Sequence, residues 1–179
     1  VATVANFPHG STDVERAVAE TRKSVADGAH EVDVVLPYTA WLAGDRDGAC
    51  KLVAACKAAC GDTTHLKVIL ETGILQTTEN IIAASRDAIA SGADFIKTST
   101  GKVEVSATIA AAKAMLGVIR ETDRAIGFKA AGGIRTLEDA ASYLDVADKI
   151  MGPGWATPET FRFGASGLLD DLLGYTSGG

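Results

Sequence analysis

An α/β fold built on a parallel sheet is predicted by three features of the sequence. Apolar, strand-length runs alternate with helix-length amphipathic segments six times, the alternation recurs about every 30 residues, and glycine or proline marks most junctions. This rhythm suits either a closed barrel or a doubly wound sheet. The 179 residues are enough for one buried core, so a single domain over residues 1–179 is expected.

Residues 1–6 form a short β-rich run that stops at Phe7-Pro8-His9-Gly10, a loop signal. In the helix that follows, Thr12 and Glu15 have capping-box spacing, Val14, Ala17, Val18 and Val25 recur at helical intervals, and Gly28 stands where a C-terminal cap belongs. The run 31–36, Glu31-Val32-Asp33-Val34-Val35-Leu36, is the second strand, ended by Pro37. A helix over 48–60 places Leu52, Val53 and Cys56 on one side and stops at Gly61, and 66–71 is the third strand. The helix 78–90 carries an Ile81, Ile82 and Ile89 stripe closed by Gly92. Phe95-Ile96-Lys97 then forms the fourth strand.

The helix 108–121 presents Ile109, Ala112, Leu116 and Ile119 on one face and leads to a fifth strand at 125–129. Thr136 and Asp139 cap a helix through Leu144, an irregular segment covers 146–158, the sixth strand is 161–164, and a last helix covers 167–173.

The totals exclude several classes of function. A net charge of −6 argues against a general nucleic-acid or anionic-membrane surface, which leaves room only for a small local anion site. Cys50, Cys56 and Cys60 are odd in number and lack the paired spacing of a disulfide framework or a zinc site, so they are expected to be reduced thiols. His9, His30 and His65 are scattered without metal-ligand spacing. No metal or cofactor is expected, and the lack of a secretory signal or a membrane-length apolar run points to the cytoplasm.

Three charged residues stand at predicted strand ends. Lys97 closes an apolar strand, and burial there disfavours the ammonium form; a lysine that gives up its proton is a nucleophile. Gly28-Ala29-His30-Glu31-Val32-Asp33 parallels Gly92-Ala93-Asp94-Phe95-Ile96-Lys97, which puts Asp33 and Lys97 at corresponding positions two units apart. In a barrel, alternate strands supply one layer of side chains, so the two would face one cavity, with Lys129 on the adjacent strand. Lys129 would oppose protonation of Lys97, and Asp33 would serve as the acid/base. For each residue alone a solvated position or an ordinary ion pair is the better explanation; the convergence of three favours chemistry. Gly132-Gly133 and Gly164-Ala165-Ser166-Gly167 offer backbone N–H groups and a helix N-terminus to a phosphate, and Lys102 and Arg135 would add charge. Glu71, at a strand end, would either line the pocket or cap a loop.

Five segments carry a family resemblance across the chain in matching order: Asn6-Phe7-Pro8-His9-Gly10, Glu31-Val32-Asp33-Val34-Val35, Phe95-Ile96-Lys97-Thr98-Ser99-Thr100-Gly101-Lys102, Gly127-Phe128-Lys129-Ala130-Ala131-Gly132-Gly133-Ile134-Arg135, and Arg162-Phe163-Gly164-Ala165-Ser166. Together they resemble deoxyribose-phosphate aldolases of the lysine Schiff-base class. The resemblance implies Lys97 as the Schiff-base lysine, Lys129 as the lysine that tunes it and Asp33 as the proton-relay carboxylate. It implies a substrate phosphate held by loops at Thr100, Gly101 and Lys102, at Gly132, Gly133 and Arg135, and at Gly164 and Ser166. The implied reaction is reversible cleavage of 2-deoxy-D-ribose 5-phosphate into acetaldehyde and D-glyceraldehyde 3-phosphate, so the partners are small phosphorylated sugars and aldehydes. Gly167 departs from the pattern, standing where some members have a second serine.

The family's fold is a TIM (β/α)8 barrel, and this chain resembles its units three to eight, with the first two βα units absent. Six strands leave open edges. Either the sequence omits an N-terminal part or a shorter form covers its edge, for example as a homodimer; the first is expected.

Overall fold

The computed structural model describes residues 1–177, so the last two positions of the expected 1–179 domain lie outside the described residues. The elements run β1 (Ala2–Ala5), α1 (Val14–Ala26), β2 (Glu31–Val35), α2 (Tyr38–Leu42), α3 (Arg46–Cys60), β3 (His65–Ile69), α4 (Thr72–Leu75), α5 (Thr78–Ala90), β4 (Phe95–Lys97), α6 (Ile109–Arg120), β5 (Gly127–Ala131), α7 (Leu137–Met151), β6 (Phe161–Gly164) and α8 (Gly167–Ser177).

All six strands are parallel and lie in the order β1-β2-β3-β4-β5-β6. A doubly wound sheet reverses its order at a switch point, so sequential order removes that alternative. The sheet is also strongly curled. Arg162 on β6 bonds Glu31 on β2 at 3.2 Å, yet strands four places apart in a flat sheet have backbones about 19 Å apart. Among the described residues β1 and β6 are the two edges of this open, half-barrel sheet, and a closed eight-stranded barrel is not formed by them.

Period-2 alternation sorts the strands between two faces. Val32, Val34, Leu66, Val68, Ile96, Phe128 and Ala130 point outward into one core shared with the helices, which joins Leu52, Val53 and Cys56 of α3 to Met115 and Leu116 of α6. The strand residues Glu31, Asp33, Lys67, Phe95, Lys97, Lys129 and Arg162 share the opposite parity along the paired ladders and belong to the concave face.

Several helix boundaries differ from expectation. The N-cap of α1 is Asp13, whose side chain accepts from the Arg16 N–H at 3.0 Å, rather than Thr12. The α7 helix continues seven residues beyond Leu144 because Tyr143, Val146 and Ala147 extend its buried stripe to a stop at Gly152. Its Thr136–Asp139 capping box forms as expected. The short helices α2 and α4 are too brief for a periodic signal. Among the described residues no helix is long and apolar enough to cross a membrane.

Candidate active site

The concave face holds charge where a closed interior would normally hold packed hydrocarbon. Lys97 Nζ donates to Asp33 Oδ2 at 2.9 Å, and Lys129 Nζ donates to the same oxygen at 2.7 Å. Asp33 is 2% exposed and Lys97 is 7% exposed, so neither charge is hydrated as it would be at the surface. Along the ladder Asp33 matches Lys67 on β3, which in turn matches Phe95 on β4, so Lys97 stands two residues further along its strand. A barrel shear of about one residue per strand turns that offset into a common level, which is why a repeat-based alignment of Asp33 with Lys97 brings the side chains together.

Three residues outside the predicted site extend this pair into a network. Lys67, with no exposed surface, lies 2.5 Å from Glu31 Oε2 and 3.6 Å from Asp33 Oδ1, and its ammonium sits 5.2 Å from the centre of the Phe95 ring. Arg162 closes the chain on the far side of Glu31. Four basic groups thus share two carboxylates. The sequence signal for Lys67 is its lone charge inside Leu66-Lys67-Val68-Ile69, in phase with the concave face.

The imbalance sets protonation. Burial pushes the Lys97 ammonium below the ordinary lysine range; Asp33 opposes that, and Lys129 and then Lys67 reinforce it. For Asp33, burial acts upward, but the ammonium groups of Lys97 and Lys129 outweigh it and hold the carboxyl below its usual range. Lys67 is also lowered by burial against the pull of Glu31 and Asp33. A buried amine beside an ionised carboxylate is what nucleophilic attack on a carbonyl followed by proton transfer requires.

Beside Lys97 opens a cavity of about 740 Å3, lined by Thr100, Gly101, Gly132, Gly133, Arg135, Gly164 and Ser166 among others. Seven of the eight positions expected to hold phosphate therefore line one space with the candidate nucleophile. Lys102 does not: it is exposed on the same loop, outside the lining. Val4 and Asp171 line the cavity and carried no signal in the sequence, and Phe7, which belongs to the segment 6–10, lines it as well. Asp171 accepts from the Leu137 N–H at 2.9 Å and so caps α7.

Two glycines are required sterically. A Cβ on Gly132 would meet the Ser106 side chain at 2.5 Å with φ at +89°, and one on Gly164 would lie 2.8 Å from Ala131 Cβ and 3.1 Å from Lys129 Cε. Glu71 acts as a loop clamp: its carboxylate accepts from the Thr100 hydroxyl at 2.5 Å and it is fully buried. No set of three His, Cys, Asp or Glu side chains among the described residues is placed to hold a metal ion.

The sequence matches the DeoC/LacD family aldolase profile over residues 1–173. It is 55% identical over 179 residues to a deoxyribose-phosphate aldolase of Agrobacterium fabrum (strain C58 / ATCC 33970), spanning all of this chain and 69% of that protein. Among solved structures it is similar to an apo-form candidate deoxyribose-phosphate aldolase of Toxoplasma gondii ME49, with a TM-score of 0.91 and 30% identity over 99% of this chain and 71% of that one. A candidate deoxyribose-phosphate aldolase of Coccidioides immitis matches with a TM-score of 0.83 and 29% identity, over 97% of this chain and 64% of that one.

Proposed function

This chain belongs to the DeoC/LacD aldolase family, and from that premise we propose that it is a lysine Schiff-base aldolase that reversibly cleaves 2-deoxy-D-ribose 5-phosphate into acetaldehyde and D-glyceraldehyde 3-phosphate. The observation that carries the reading is the single carboxylate oxygen shared by two buried lysines at the wall of a glycine-lined cavity. In this reading the neutral amine of Lys97 adds to the sugar aldehyde. The carbinolamine loses water with a proton supplied through Asp33, leaving an iminium. Removal of the proton from the C3 hydroxyl breaks the C2–C3 bond; its electron pair flows into the iminium, glyceraldehyde phosphate departs, and an enamine remains on Lys97. Protonation of that enamine and addition of water release acetaldehyde and restore the amine.

Lys129 keeps Lys97 short of protons and stabilises the ionised Asp33. The substrate phosphate is assigned to Thr100, Gly101, Gly132, Gly133, Arg135, Gly164 and Ser166, where the N-terminal ends of α7 and α8 add their dipoles. The six βα units are proposed to correspond to units three to eight of a TIM barrel; the open sheet edges and the 69% share of the Agrobacterium fabrum protein support this. The enzyme would work on soluble sugar phosphates of the cytoplasm.

The test is reductive trapping. The folded protein is incubated with acetaldehyde and sodium borohydride, and peptide mass mapping is expected to find an ethyl group on Lys97. Folded protein with no adduct there defeats the Schiff-base reading. Ligand binding without turnover would instead identify a sugar-phosphate binding protein.

A further inference from the structure

The proposed chemistry uses two of the three lysines on the concave face and leaves Lys67 without a role. Its surroundings are unusual for a lysine with no solvent contact. From β2 it faces Glu31 at 2.5 Å and Asp33 at 3.6 Å, and from β4 the Phe95 ring at 5.2 Å. Lys97 and Lys129 meet it across Asp33, and Arg162 reaches Glu31 from β6. Lys67 therefore has two carboxylates and an aromatic face. Lys97 has one carboxylate oxygen, and shares it with Lys129. By charge count an ammonium ion at Lys67 faces more opposite charge than one at Lys97, although Lys67 Nζ makes no hydrogen bond of good geometry and Lys97 Nζ donates one.

We propose that Lys67 is a positioning residue that remains an ammonium throughout the cycle, holds Asp33 from its Oδ1 side, and so leaves Lys97 as the lysine that gives up its proton. This inference rests on the reading of Lys97 as the Schiff-base lysine. Asp33 Oδ1 accepts no hydrogen bond and Lys67 Nζ donates none across the 3.6 Å between them, so the two meet as charges while Oδ2 serves the two other lysines. Exchange of Lys67 for a neutral residue removes a cation that opposes protonation of Lys97 and loosens the carboxylate that serves it.

The experiment compares wild type with Lys67→Met and Lys67→Arg in borohydride trapping of acetaldehyde on Lys97 across pH. In Lys67→Met the acid limb is expected to move to higher pH by about one unit, about a tenfold loss of trapping on that limb, while KM for the sugar phosphate holds. Lys67→Arg is expected to restore the limb. A folded Lys67→Met protein with the wild-type limb overturns the proposal. Since Met beside Glu31 leaves a buried charge with one partner fewer, Lys67→Met with Glu31→Gln supplies a charge-balanced variant, in which a smaller displacement in the same direction is expected. A lysine 13Cε NMR titration of wild-type protein needs no variant: Lys97 is expected to titrate below Lys67, and the reverse order overturns the proposal. If wild type forms no adduct on Lys97, the Schiff-base reading fails, and the titration order still decides the case for Lys67.

Discussion

Exchange of Asp33 for Asn separates two quantities that normally move together, the amount of free amine on Lys97 and the rate of turnover. Asp33 Oδ2 lies 2.9 Å from Lys97 Nζ, and both side chains are buried. With charge centres about 4 Å apart and an effective dielectric constant of about 20, the attraction is about 4 kcal/mol, near three pH units of support for the ammonium form. Asparagine keeps a carbonyl acceptor, so the expected displacement of the Lys97 titration is smaller, about one to two units toward acid. Asp33→Asn should therefore hold more free amine at low pH than wild type. Turnover should nevertheless fall by about 10²–10⁴, because the carbinolamine has lost its proton relay. The loss of an anion shared by two buried cations should also cost about 3–5 kcal/mol of stability. Borohydride trapping across pH, beside steady-state cleavage of deoxyribose phosphate and thermal unfolding, measures all three. An acid limb that stays in place or moves to higher pH, in folded protein, refutes the electrostatic reasoning.

Three further outcomes are expected. Lys129→Met should move the acid limb of trapping to higher pH, by about one to two units, because Lys97 no longer shares Oδ2 with a second cation; an unmoved limb separates the two lysines. Gly164→Ala should cost about 1–3 kcal/mol in urea unfolding and displace the Lys129 side chain, since the added carbon lies 3.1 Å from its Cε; wild-type stability with a wild-type profile would contradict the packing. Asp33 and Glu31 are held below their unfolded values of about 3.9 and 4.3, so their contribution to stability is present above that range and lost as pH falls through their folded values. Tm should drop below about pH 4, and the drop should shrink in Asp33→Asn.

Much of the architecture was legible because hydrophobic period and cap chemistry agree locally. The helix α5 has its expected bounds because Thr77 supplies a side-chain cap and Ile81 and Ile89 fix its buried face. The triad of Asp33, Lys97 and Lys129 was legible for a different reason: Lys97 and Lys129 each close a predicted strand, and Asp33, inside its strand, aligns with Lys97 through the repeat of 28–33 in 92–97. Lys67 escaped notice because a charge inside a strand becomes meaningful only when the strand's inward parity is known, and parity comes from the sheet. Arg162 and Glu31 lie 131 residues apart in sequence, and nothing local links them. Lys102 shows the reverse case, since a basic residue on the right loop still lies outside the cavity lining. The clamp of Thr100 by Glu71 depends on a left-handed backbone at Glu71, with φ at +59°, a conformation that the residue type does not announce.

The bridge from Glu31 to Arg162 spans the curled sheet as a chord spans an arc. Together with the bond from Lys129 to Asp33, which crosses the two strands between β2 and β5, it resists any flattening of the concave surface. The radius of the fold and the charge state of the proposed nucleophile are consequently one mechanical and electrical property. A change that relaxes the curvature separates cations from carboxylates, and a change of protonation alters the tension across the arc. Such coupling makes the acid/base chemistry sensitive to whatever completes or braces the sheet edges, even at residues far from Lys97.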